Sequence, residues 1–191
     1  MGKRHMDGGG NKATPAPPDR NSLEQQALRY LERYASSAAR LRQVLRRSLQ
    51  RAARRGGGEI EGGEAMVDAV IAKLVRVGLL DDARYAEFRA ASLARRGGSL
   101  YVIRRDLIAR GVAKAQIEAA LEALKRDSGT ESNDEADIEA ALALARRRRL
   151  GPFRISGARA ANRDRDLATL GRAGFGYEVA RAVIDREPDT G

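Results

Sequence analysis

The segment LIARGVAKAQIEAAL, Leu107 to Leu121, returns later in the chain as LGRAGFGYEVARAVI, Leu170 to Ile184. Leu107 matches Leu170, Gly111 matches Gly174, Val112 matches Phe175 and Leu121 matches Ile184, all at one constant offset. Residues three and four apart share a helix face, and a glycine between two such runs lets the chain reverse without Cβ strain. Each copy therefore reads as helix, glycine, helix. A weaker echo lies upstream, where Leu41 and Leu45 align with Ile103 and Leu107. Such joints also occur in ordinary bundles, but the parallel apolar positions favour tandem repetition.

Three breaks divide the chain. Residues 1–21 begin MGKRHMDGGGNKATPAPPDR, rich in glycine and proline and without apolar periodicity, and read as a disordered tail. The run RRGGGEIEGGE, residues 54–64, cannot continue a helix, and the polar segment around KRDSGTESNDE supplies a linker over 127–136. The spacing between breaks predicts three three-helix repeats, at 22–79 (containing the glycine-rich insert), 80–126 and 137–187. Ser22 with Gln25 suggests a capping box for the first helix, and Asp81 or Asp82 and Ser99 read as caps in the second repeat. AMVDAVIAKLVRVG is apolar on most sides and reads as a largely buried helix. With no window of sustained β-type alternation, the fold class is all-α. Small modules bury little alone, so stacking of neighbours into an elongated, curved array is expected.

The composition excludes most catalytic chemistry. There is no Cys, and the one His is His5, in the tail. Thiolate zinc sites, cysteine nucleophiles and a Ser-His-Asp triad are thereby set aside. The carboxylate pairs Asp81-Asp82 and Asp134-Glu135 sit at expected helix starts, where acids satisfy orphan amides. The glycine triplets lack the Lys-Ser/Thr of a phosphate-binding loop. No catalytic residue, metal or cofactor is expected. No apolar run reaches membrane-spanning length and no signal-peptide core is visible, so the expectation is a cytoplasmic protein without membrane contact.

What remains is charge. The chain carries a formal net charge of +10, and clustered arginine dominates it. From Ser36 to Gly58 there are seven Arg and no acid: Arg40, Arg42, Arg46, Arg47, Arg51, Arg54 and Arg55. Arg84, Arg89, Arg95, Arg96, Arg104 and Arg105 form a second patch. Arg146 to Arg149, with Arg154, Arg159, Arg163 and Arg165, form a third. Guanidinium forks suit phosphates and carboxylates alike, so a long anionic partner is expected. The segment IRRDLIARGVAKAQIEAAL has a helix-turn-helix look. Its reading helix offers only Lys114, Gln116 and Glu118, an undistinguished set for base recognition.

The stretch Leu80 to Leu121 resembles the RecX family, modulators of the bacterial RecA recombinase. The resemblance rests on Leu80-Asp81-Asp82, Arg84-Tyr85-Ala86, Arg95-Arg96-Gly97, Ile103-Arg104, Leu107 and Gly111-Val112. ARRRRLG at 145–151, LGRAGFGYEVARAVI and LRYLERYASSAARLRQVL extend it over roughly Ser22 to Asp185. The chain departs from the family pattern at Gly98-Ser99-Leu100, where an aromatic residue and Gly-Pro are usual.

The resemblance implies a monomeric regulator without an active site. Such a protein binds the RecA–DNA filament in its groove and restrains recombinase, ATPase and coprotease activity. Contact with single- or double-stranded DNA, directly or within the filament, is implied too. The residues expected to carry binding are Arg42, Arg46 and Arg47, then Arg84, Arg89, Arg96, Arg104 and Arg105, then Arg146, Arg147, Arg148 and Arg149. Tyr85 and Phe175 are expected to pack the core. A protein acting directly on DNA through its basic helix-turn-helix-like modules is the rival reading, and an enzyme stands far behind both.

Overall fold

The computed structural model describes residues 18–56, 58, 60–154 and 159–187. Regular structure among them is entirely helical. The first module holds α1 (Arg20–Leu31), α2 (Ala38–Gly56) and α3 (Gly63–Arg76); the second holds α4 (Asp82–Arg95), α5 (Leu100–Ala109) and α6 (Lys114–Ser128). The third holds α7 (Asn133–Arg148), a short 3-10 turn at Gly151–Phe153, α8 (Arg159–Arg172) and α9 (Tyr177–Ile184).

Most of the tail, up to residue 17, and part of the insert lie outside the described residues. Several boundaries differ from the expected ones. The first helix starts at Arg20, and its cap is Asp19, whose carboxylate accepts from the Ser22 amide at 2.8 Å. Ser22 is thus one turn inside, because an aspartate three residues upstream offers a charged acceptor to the positive helix end. The linker expected over 127–136 shrinks to 129–132. Gly129 ends α6 in the left-handed region, and Ser132 with Glu135 forms a capping box that starts α7. The α3 helix buries one face only, through Val67, Val70, Ile71 and Leu74, while Val75 is half-exposed.

Each module encloses its own core. Leu23, Leu41, Leu45, Val67, Val70 and Leu74 fill the first. Tyr85, Ala86, Ile103, Leu107, Ile117 and Leu121 fill the second, and Leu144, Leu170, Phe175, Val183 and Ile184 the third. Every apolar pair of the sequence echo is buried, as are the expected core aromatics Tyr85 and Phe175. Full burial of one such side chain contributes about 1.5–3 kcal/mol, set against about 1–2 kcal/mol of backbone entropy for each residue ordered.

The modules are joined by one device used twice. Ser37 caps α2 and Ser99 caps α5, each accepting from the amide three residues on, at 3.2 and 3.3 Å. Each hydroxyl also donates across the joint to the carbonyl of the residue that follows the next module's second helix. Ser37 reaches Arg110 at 2.5 Å, and Ser99 reaches Ala173 at 3.3 Å. The first amide of each capped helix donates to an aspartate of the next module, Ala38 to Asp82 at 2.7 Å and Leu100 to Asp137 at 2.8 Å. The residue after each accepting carbonyl is Gly111 or Gly174, with φ of 71° and 88°. A Cβ on Gly111 would stand 2.4 Å from the Ala39 Cβ, and one on Gly174 would stand 2.6 Å from Ser99 Oγ. Glycine is thus required for two reasons at once, the turn and the close approach of the neighbouring module.

Candidate interaction surface

The expected arginines divide by what their guanidinium groups already hold. Arg42 Nε donates to Asp68 at 2.8 Å and Arg46 Nε to Glu64 at 2.6 Å, tying α2 to α3. Arg89 makes a two-pronged pair with Asp106, both contacts at 2.9 Å, and Arg110 adds a second fork on the same carboxylate. Those two guanidinium groups hold the Asp106 carboxyl far below the usual carboxylate range, against the opposing effect of its partial burial. Arg104 forks onto Glu118, so that member of the supposed reading helix is engaged inside the protein. Arg42, Arg46, Arg89 and Arg104 therefore brace helices of their own modules.

The rest are less committed. Arg105 lies over the Tyr101 ring at 5.6 Å and Arg146 over Phe153 at 5.2 Å. Arg147 donates to the backbone carbonyl of Arg96. Arg47, Arg84, Arg96, Arg148 and Arg149 are exposed, and the described residues provide no carboxylate paired with them.

Two groups emerge. In the first, Gly63 at the start of α3 packs on Leu49, so the last two turns of α2 run past the helix that supplied acids to Arg42 and Arg46. That projection, roughly 10 Å at 1.5 Å per residue, carries Arg51, Arg54 and Arg55. Arg47, Gln50, Arg51 and Arg54 recur at helical spacing beside Val44 around a shallow concavity of about 400 Å³. Arg51 and Arg54 were not among the residues expected to bind. The sequence signal for them is the reversed ladder in which Arg42 and Arg46 face Asp68 and Glu64, since Arg51 and Arg54 lie beyond the first acid of α3.

In the second group, Gly97 backs onto α7, where a Cβ would stand 2.7 Å from the Leu144 Cβ. The end of α4 and the end of α7 are thereby brought together, placing Arg95 and Arg96 near Arg147 and its neighbours. Arg149 turns the chain at φ 53° as the cap of α7. Cations at two helix C-termini suit both the helix dipoles and an external anion.

Deeper carboxylates are used structurally. Asp166 is buried beneath Arg154, with contacts of 2.6 and 2.7 Å, and also accepts from the Gly151 amide at 2.9 Å. Burial pushes its carboxyl up, but these hydrogen bonds outweigh that and hold it below its ordinary value. Asp137, at the second joint, behaves oppositely. Burial raises its carboxyl more than the Leu100 amide lowers it. Among the described residues no group of three acids or histidines could hold a metal, and no helix is long and apolar enough to cross a membrane.

These features define a class: tandem three-helix modules, linked by a repeated joint, that present arginine clusters. Comparison with known proteins gives the particular family. Residues 81–121 match the family model for the second three-helix domain of RecX. The chain is 43% identical over 167 residues to the regulatory protein RecX of Myxococcus xanthus, covering 87% of this chain and 86% of that one. It is 31% identical over 105 residues to the regulatory protein RecX of Agrobacterium fabrum, covering 55% and 51% of the two chains. A crystal structure of a regulatory protein RecX superposes with a TM-score of 0.60 at 20% identity, over 87% of this chain and 72% of that one, and so shares the fold. The chain belongs to the RecX family.

Proposed function

We propose that the protein regulates the RecA recombinase by lying in the groove of the RecA–DNA filament and restraining its recombinase, ATPase and coprotease activities. The observation that carries this reading is the 43% identity to a named RecX regulatory protein along nearly the whole of both chains. The geometry supports a division of labour. Arg42, Arg46, Arg89 and Arg104 keep the modules rigid through internal pairs. Arg47, Arg51 and Arg54 on α2, with Arg84, Arg96, Arg105 and Arg146 to Arg149, meet acidic side chains or DNA phosphates. Contacts made by several modules to successive protomers raise the effective concentration of each, so modest affinity per module suffices. The protein acts as a monomer and performs no chemistry of its own.

The projecting end of α2 favours a second reading, direct binding to DNA. The two are separated by titrating the chain against RecA filament and against bare single-stranded DNA at physiological salt. The filament reading expects clearly tighter binding to the filament, and equal affinity for both overturns it. Changing Arg47, Arg51 and Arg54 together to Ala should weaken filament inhibition and reduce the salt dependence of binding. The log–log slope should fall by about 0.7 for each single-strand phosphate that is no longer engaged.

A further inference from the structure

Eight large hydrophobic side chains stand more than half exposed among the described residues, and three of them, Tyr34, Leu79 and Phe88, line one cleft. The cleft encloses about 320 Å³ between the α1–α2 connection, the α3–α4 connection and the first two turns of α4. It therefore spans the joint between the first and second modules. Its floor includes Tyr85, which is buried. Phe88, one turn further along α4, is 62% exposed. A phenylalanine left in water beside a leucine and a tyrosine forgoes burial that the core just beneath could have supplied, and exposed apolar clusters of this kind mark contact sites.

The charges in the cleft narrow the occupant. Asp81 is committed to the start of α4, accepting from the Ala83 and Arg84 amides at 2.9 and 3.0 Å. Arg84 is the only cation in the lining, and no carboxylate among the described residues pairs with it. By contrast, Arg42, Arg46, Arg89, Arg104 and Arg110 all have acidic partners. A single cation beside a carboxylate is a poor phosphate track, which argues against nucleic acid here. A second copy of the chain is disfavoured by the net charge of +10 on each.

We propose that this cleft docks a protein segment presenting one bulky apolar side chain beside a carboxylate. The apolar group enters between Tyr34, Leu79 and Phe88, and the carboxylate pairs with Arg84. Because the walls belong to two modules, an occupant also fixes the angle between them. The inference rests on the function proposed above insofar as the RecA filament supplies the segment.

The test uses the full chain with Phe88→Ser, Leu79→Ser, Phe88→Leu and Arg84→Ala. Each is titrated against RecA filament and against bare single-stranded DNA, with helicity and urea midpoint recorded. Phe88→Ser and Leu79→Ser should each weaken filament binding at least tenfold and leave DNA binding and the urea midpoint unchanged, while Phe88→Leu keeps most of the affinity. The deficit from Arg84→Ala should shrink as salt is raised, whereas that from Phe88→Ser should persist. Unchanged filament binding by both serine variants overturns the cleft and leaves the regulator reading standing. Parallel loss of DNA binding overturns it in favour of bases stacking on Phe88. Failure of the unaltered chain to bind filament instead removes the function proposed above, and the cleft's partner with it.

Discussion

Substituting Gly111 by Ala tests whether the inter-module joint contributes to stability. Two costs arise. An L-residue held in the left-handed region loses about 1–2 kcal/mol. The new methyl would also stand 2.4 Å from the Ala39 Cβ, where ordinary carbon contacts lie at about 3.5–4.0 Å. The start of α2 must therefore retreat by roughly 1 Å or more relative to that spacing. Such a retreat lengthens the 2.5 Å bond from Ser37 to the Arg110 carbonyl, a loss of about 1 kcal/mol. With overpacking strain of about 1 kcal/mol or more added, Gly111→Ala should cost about 3–4 kcal/mol.

Gly78→Ala is the control. Gly78 has φ 74° but nothing within 4 Å of the place a methyl would occupy, leaving only the backbone cost of about 1–2 kcal/mol. Ala39→Gly removes the obstructing methyl, so the double variant should recover about 1–2 kcal/mol relative to the sum of the singles. Urea unfolding followed by far-ultraviolet circular dichroism gives each value from the midpoint at constant slope. Equal losses for Gly111→Ala and Gly78→Ala, or strict additivity with Ala39→Gly, would refute the close-packed joint.

Three further outcomes follow from the carboxylates. Asp106, held low by Arg89 and Arg110, contributes stability above its unfolded value of about 3.9, and that contribution is lost as pH falls through its lower folded value. Asp106→Asn should therefore lower the urea midpoint at pH 7 and flatten the acid side of the stability profile. Asp137, raised by burial, gives the opposite sign: its contribution is largest below its unfolded value and is lost as pH rises through its folded value. Asp137→Asn, which keeps an acceptor for the Leu100 amide, should be neutral or stabilising at pH 7, while Asp137→Ala should cost about 1 kcal/mol in the same assay. Arg154→Ala strands the buried Asp166 carboxylate and should lower the urea midpoint more than Arg163→Ala, whose partner Asp185 is exposed.

Much of the fold was legible because its signals are local. The apolar pairs Leu41–Leu45 and Ile103–Leu107 lie four residues apart on one buried helix face, and Ser99 and Asp81 are caps readable from their immediate neighbours. The second job of Ser37 and Ser99 was not legible, since a hydroxyl that caps its own helix gives no local hint that it also donates to a chain segment more than seventy residues away. The same limit explains the arginines. Arg42 and Arg89 look alike in sequence to Arg47 and Arg96, and only the packing of α3 and α5 brings Asp68 and Asp106 to the former pair. Tyr85 and Phe88 both lie on α4. Their spacing of three turns Tyr85 into the core and leaves Phe88 at the surface, a distinction set by where α5 and α6 pack on α4.

The twice-used joint has a geometric consequence. Both junctions use the same kinds of contact: a serine hydroxyl and a helix-start amide on one side, a backbone carbonyl and an aspartate on the other. Removing the single hydroxyl at position 37 or 99 should therefore loosen one junction without altering any of the exposed arginines.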